Sequence, residues 1–333
     1  MECSRTNVGQ LPLDQFVRVV STIYNGHDQY RSIWDVWCHT MHHAAGIAEQ
    51  IRKGESEEDL YREIADFSLW LFTMVLKLSG EFGHPKGEFE GPQDRYIRIW
   101  NSCSDIVWHK YPKLCPLCHD KRIARANVAE VKLGDIQPCC CPPNPGTQES
   151  DDAWRRRIAA VREYSGQIYA EKPKGIDEWQ GMFGAVFGDK LSLFSLSDIS
   201  LHLMEELGET SDAMIRMYSY SPNTFVDGEP NRRQVKLEAQ FADVFSWLFA
   251  LVEKLNFLKQ PVLGSGTADQ EMIPQPTRAI RLSEIIWQRY GSDSRQLFCC
   301  WKCKLPDCGC KIILVPNVRP SAELLEKYHH PEP

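Results

Sequence analysis

The chain has 333 residues, 43% apolar and 25% charged, which is the composition of an ordinary soluble globular protein. A formal charge of −7 argues against a nucleic-acid surface, which normally presents a basic face. The longest apolar runs fall far short of the ~18 residues a membrane helix needs, and no basic segment followed by an apolar signal core opens the chain, so the cytoplasm is the expected compartment.

Apolar residues spaced near 3.6 among helix formers predict helices over 12–24, 32–52, 58–79 and 93–110, then over 152–170, 193–217, 232–257 and 277–290. Little alternates with a period of two, so the expected class is all-α with four helices in each part. Pro/Gly-rich joins at 80–92, 138–146 and 261–276 separate the elements, the second being the best boundary. This length suggests two domains, although duplicated helical units often share one core.

Duplication is visible directly. Residues 65–75 read ADFSLWLFTMV and residues 242–252 read ADVFSWLFALV, with six of eleven positions identical at an offset of 242 − 65 = 177. SDIVWHKY at 104–111 answers SEIIWQRY at 283–290, an offset of 179. Asp35, His39 and Met41 answer Asp198, His202 and Met204 at 163. The change of offset places an insertion in the loop-like stretch 218–230. Each copy also buries an aspartate, Asp66 or Asp243, in an apolar run, where an ionised carboxylate is costly without a compensating cation or donor.

Cysteines supply a second signal. Cys115, Cys118, Cys139 and Cys141 in the first copy, and Cys300, Cys303, Cys308 and Cys310 in the second, each form Cys-x-x-Cys followed by Cys-x-Cys. Paired thiolates on two tight turns suit one tetrahedral zinc per copy, a structural ion with no open position. In a cytoplasmic chain that outranks disulfides. Cys140 and Cys299 leave the register within each cluster open, while Cys3, Cys38 and Cys103 read as buried or incidental thiols.

In the second copy LHLMEELGETSDAM carries Glu205, Glu206 and Glu209 on an expected helix, with positions 206 and 209 on one face. Gln240 and Asp243 share a face of the next helix. Two antiparallel helices would therefore direct Glu206, Glu209, Gln240 and Asp243 to one spot, and such hard oxygen ligands suit magnesium. Without Asp243, the Glu-Glu-x-x-Glu pattern is common surface decoration.

Glu-Glu-x-x-Glu followed by Glu-x-x-Asp entering an apolar helix resembles the all-α nucleoside triphosphate pyrophosphohydrolases of the MazG type, relatives of the dimeric dUTPases and phosphoribosyl-ATP pyrophosphohydrolases. Copy one carries Glu63-x-x-Asp66 in full and copy two Glu205-Glu206-x-x-Glu209. The resemblance covers the helical parts, around 10–110 and 152–290, and leaves the cysteines unexplained. It implies magnesium held by the acidic residues, hydrolysis of a nucleoside triphosphate to the monophosphate and pyrophosphate, and a dimer fused into one chain. The expected organisation is helical repeat one at 10–111, a four-cysteine zinc module at 112–145, helical repeat two at 152–290 and a second four-cysteine zinc module at 291–318, the repeats packed as an intramolecular pseudo-dimer.

Departures from the pattern matter. Copy one has His42 and His43 in place of the Glu pair and Gly46 in place of Glu209; copy two has Gln240 in place of Glu63. The favoured site is magnesium on Glu206, Glu209, Gln240 and Asp243, and the alternative is a composite of Glu206 and Glu209 with Glu63 and Asp66. Glu205, about 100° around the helix from Glu206, is the expected general base or second-metal ligand. Lys236, Arg232 and Arg233 are phosphate-contact candidates or an exposed helix start, and Arg155 to Arg157 read as a solvated helix face. His42, His43, Trp34 and Trp37 read first as packing residues. The rival to an enzyme is a nucleotide sensor or interaction scaffold on the same fold. A zinc-ribbon nucleic-acid binder is weakened by the acidity. Homo-oligomers through the zinc modules or helical faces stay open, and no pattern fixes the base or sugar.

Overall fold

Serine caps start most of the long helices. In the computed structural model, which describes residues 4–28, 31–54, 56–80, 99–119, 134–141, 150–219, 229–259 and 279–310, Ser32 opens α2 (Ile33–Lys53) with a reciprocal capping box to Asp35. Ser56 caps α3 (Glu57–Ser79), Ser102 caps α4 (Cys103–Lys110) and Ser150 caps α5 (Asp151–Gln167). Each serine oxygen satisfies an amide of the first turn that has no partner within the helix. Ser195 and Asp198 repeat the capping box at the start of α7 (Leu196–Ser219). The remaining helices of eight residues or more are α1 (Leu13–Ser21), α6 (Ile176–Leu193), α8 (Glu229–Lys259) and α9 (Leu282–Tyr290), with a short hairpin, β1 (Gly291–Ser292) and β2 (Leu297–Phe298), after α9.

The mostly helical class agrees with the sequence reading, and α6 corrects it. Periodicity predicts no helix between 170 and 193, because Gly181, Gly184 and Gly188 dilute helix propensity there. Tertiary packing outweighs that cost. A Cβ on Gly184 would stand 2.7 Å from Glu253 Oε2, so the glycine lets α6 lie close against α8. The joins at 80–92 and 261–276, the insertion at 218–230, Cys3 and much of 138–146 lie wholly or largely outside the described residues.

Two antiparallel hairpins, α2–α3 and α7–α8, are the most closely packed helix pairs, and α2 and α7 meet face to face. α1 lies on α3 and α6 on α8. The short helices cross over: α4 packs on α8 and α9 on α3. The buried apolar residues of both halves of the chain form one connected core, with Phe16 edge-on to Phe72 and Phe72 stacked on Phe245. Each such ring contributes about 1.5–3 kcal/mol on full burial. Among the described residues no helix is long and apolar enough to cross a membrane.

Equivalent contacts recur at the sequence offsets. Leu13 N donates to Lys174 O at 3.0 Å and Ile176 N to Leu11 O at 3.3 Å. Lys77 Nζ donates to Asp28 O and Lys254 Nζ to Leu191 O, both at 3.0 Å. His39 stacks on Trp70 at 4.2 Å and His202 on Trp247 at 4.5 Å. Asp14 accepts from Ser104 Oγ and Asp177 from Ser283 Oγ, both at 2.6 Å.

Candidate functional site

Asp243 is 8% exposed in the apolar face of α8, so its charge requires compensation. The compensation comes from the end of α4. Tyr111 OH donates to Asp243 Oδ1 at 2.5 Å, and the Lys110 ammonium bonds Asp243 Oδ2 while donating to Ala239 O at 3.2 Å. Across from Asp243, α7 presents Glu206 and Glu209. Gln240 Nε2 donates to Glu209 Oε2 at 2.7 Å, and Trp247 Nε1 donates to Glu206 Oε1 at 3.4 Å. Gln240 Oε1 is buried without a hydrogen-bond partner.

All four expected ligands, Glu206, Glu209, Gln240 and Asp243, therefore line one cleft of about 280 Å³, together with Lys110 and Tyr111. Burial, followed by repulsion from Asp243, pushes the Glu206 carboxyl up to about 9, and the same two causes raise Glu209. The Lys110 charge offsets part of both shifts. Arg157 and Lys190 lie further along the same cleft, beside Trp154, Phe187 and Phe194.

Asp66, buried in α3, is compensated from the end of α9. Arg289 Nε and Nη2 each donate to a different oxygen of Asp66 at 3.0 Å, and the Tyr290 hydroxyl bonds Asp66 Oδ1. His43 Nδ1 meets Glu63 Oε2 at 2.9 Å, and that bond holds Glu63 below the ordinary carboxylate range despite burial. A Cβ at Gly46 would sit 2.5 Å from Glu63 Oε2, so Glu63 occupies the space a longer side chain at 46 would need. Glu63 and Asp66 do not line the cleft with Glu206 and Glu209, so the structure does not gather the composite set.

Glu205 also stays out of the cleft. One residue of helix rotation turns it to solvent, where it meets His202 Nδ1 at 3.1 Å. His42 packs edge-on against His43, and Trp37 is buried with its Nε1 donating to Ser211. Trp34 packs against the core. Arg233 Nη1 donates to Arg216 O, and the side chain of Arg232 lies outside the described residues. Arg157 corrects the solvated-face reading of 155–157, because it lines the cleft.

Each cysteine set, Cys115, Cys118, Cys139 and Cys141, and Cys300, Cys303, Cys308 and Cys310, gathers its four sulfurs within 4.8 Å and could hold a zinc ion. This is the register of Cys-x-x-Cys plus Cys-x-Cys; Cys140 and Cys299 stand outside it. Among the described residues only these two sets bring three or more candidate His, Cys or acidic ligand atoms that close, so Glu206, Glu209 and Asp243 stand wider apart. Each set also docks on the opposite half of the chain: Cys139 N donates to Val186 O at 2.6 Å and Cys308 N to Ile23 O at 2.8 Å.

No family model, curated protein or solved structure matches the chain. The residues that sequence reasoning passed over are Lys110, Tyr111, Arg289 and Tyr290. Their signal was present in SDIVWHKY and SEIIWQRY, where each repeat ends in a base followed by tyrosine.

Proposed function

We propose that the cleft between α7 and α8 is the site of a magnesium-dependent nucleotide pyrophosphohydrolase that converts a nucleoside triphosphate and water to the monophosphate and pyrophosphate. The observation that carries this reading is three carboxylates, Glu206, Glu209 and Asp243, gathered with a buried amide oxygen that has no partner, in one open cleft where burial and mutual repulsion raise Glu206 and Glu209. A divalent cation matches both features. Glu206, Glu209, Gln240 Oε1 and Asp243 would hold it, each from a hard oxygen. When bound, magnesium supplies charge neutralisation at phosphate oxygens.

The protein's own groups have separate tasks. Lys110 and Tyr111 bond the two carboxylate oxygens of Asp243 inside an apolar helix, and Trp247 orients Glu206. Arg157 and Lys190 offer positive charge for a polyphosphate, and the aromatic side chains beside them offer a surface for the base. The chain is read as two copies of one helical unit fused into a pseudo-dimer, because the contacts described above recur at offsets of 163, 177 and 179 and the arms α4 and α9 are exchanged between halves. In this reading one half keeps the site, and the other has replaced its cation with Arg289. Each cysteine set holds one structural zinc.

A second reading has its own support. Both oxygens of Asp243 already have donors, in Tyr111 and Lys110, which favours a nucleotide sensor or scaffold that binds without turnover. Incubating zinc-replete protein with magnesium and a panel of ribo- and deoxyribonucleoside triphosphates separates the two. Equal yields of monophosphate and pyrophosphate from at least one triphosphate support the enzyme, whereas binding without products supports the sensor.

A further inference from the structure

The nine residues from Lys110 to Cys118 supply a whole wall of the cleft: Lys110, Tyr111, Cys115, Pro116 and Leu117 all line it. Only part of that wall is explained by the acidic end. Leu117 lies between two cysteines of a set, is 49% exposed despite being apolar, and faces a cleft that also displays Trp154 and Arg157 of α5. An exposed leucine at such a place has no core to serve.

The wall is tied down at the cysteine set. Cys115 and Cys118 belong to this segment, while Cys139 and Cys141 come from a second strand of chain. That strand is pinned on both sides: Gln137 N donates to Lys113 O at 2.8 Å and Cys139 N to Val186 O at 2.6 Å. Val186 sits in α6, whose next residues toward the cleft are Phe187 and Lys190. The Tyr111 ring packs at 5.3 Å from Phe183 and 5.9 Å from Phe187 on the same helix. A metal ion shared by the four sulfurs would therefore clamp the Lys110–Leu117 segment against α6, along the cleft that both line.

We infer that the first cysteine set is part of the ligand site: its metal fixes the Lys110–Leu117 wall, and Leu117 packs on the part of the nucleotide away from the phosphates. This rests on the reading of the cleft as a nucleoside triphosphate site. Leu117 is then a specificity-determining residue, and the set has a task that the second set does not share, since Trp301 and Lys304 of that set face a different cleft, with Arg62 and Arg289.

Calorimetric titration of zinc-replete protein with α,β-methylene nucleoside triphosphates in magnesium tests the inference, because these probes resist cleavage at the bond in question. Leu117→Ala, on an exposed turn, is expected to weaken the best-bound probe about fivefold to tenfold and to narrow the differences among bases. Cys141→Ser is expected to lose one zinc and most of the binding while keeping its helical circular dichroism, and Cys310→Ser to lose the other zinc with binding within about twofold of the parent. Parent-like binding by Leu117→Ala overturns the inference even if Cys141→Ser fails to fold. Parent-like binding by a zinc-depleted Cys141→Ser does the same for the clamp. If the unaltered protein binds none of the probes, the nucleotide reading of the cleft fails and this inference falls with it; if it binds and only the Leu117 and Cys141 results are flat, the nucleotide reading stands alone.

Discussion

Tyr111 donates its hydroxyl to Asp243 Oδ1 across 132 residues of chain, at 2.5 Å. Tyr290 and Arg289 do the same for Asp66 from the opposite direction. Because Asp66 is 7% exposed, removing Arg289 leaves a buried carboxylate without its cation. Arg289→Leu is expected to cost about 3 kcal/mol of unfolding free energy. Adding Asp66→Leu should recover much of that loss, because the uncompensated charge goes with it. Urea unfolding of both single variants and the double variant checks the expectation; additive losses would show that the pair does not act as a unit.

Lys110 is the cation bonded to Asp243 in the cleft. Lys110→Met leaves that buried carboxylate without it, so the metal-free protein is expected to lose about 3 kcal/mol and magnesium to stabilise the variant more than the parent. Thermal melts with and without magnesium read the difference. Equal magnesium shifts in the two proteins would show that the ion does not sense this carboxylate cluster.

The two cysteine sets are expected to carry one zinc each. Elemental analysis of the purified chain should find both ions, and Cys118→Ser should retain one. A folded chain with no zinc would contradict the reading of both sets.

Burial, then the neighbouring charges of Arg31, His43 and His42, depress His39 from 6.5 to about 4. The unfolded chain then binds a proton on His39 at pH values where the folded chain does not, so stability falls as pH drops from 6.5 toward 4. His39→Phe keeps a ring on Trp70 without the titrating nitrogen. Its melting temperature is expected to fall less than the parent's across that window, and parallel curves would mean the histidine is not responsible.

Much of the fold was legible because buried helices leave a 3.6-residue apolar period. The helix α6 was not, since its glycines lower local propensity and its stability comes from close contact with α8. The site was partly legible. Glu206 and Glu209 share a face by spacing alone, and Gln240 and Asp243 follow on the next helix. What could not be read was the long-range contact: nothing local in KY at 110–111 says that it reaches Asp243 on α8. Asp66 likewise takes its compensating cation from far along the chain. Arg289 fills that role from a distance in sequence that no periodicity encodes.

Product analysis of two variants tests the single-site account most directly. Under magnesium, with the triphosphate that the unaltered protein handles best, pyrophosphate and monophosphate release is expected to fall at least a hundredfold, on the order of the loss of a group that stabilises transition-state charge, in Glu206→Gln and to stay at the parent level in Glu63→Gln. Loss of release in Glu63→Gln, or unchanged release in Glu206→Gln, would contradict a site confined to α7 and α8.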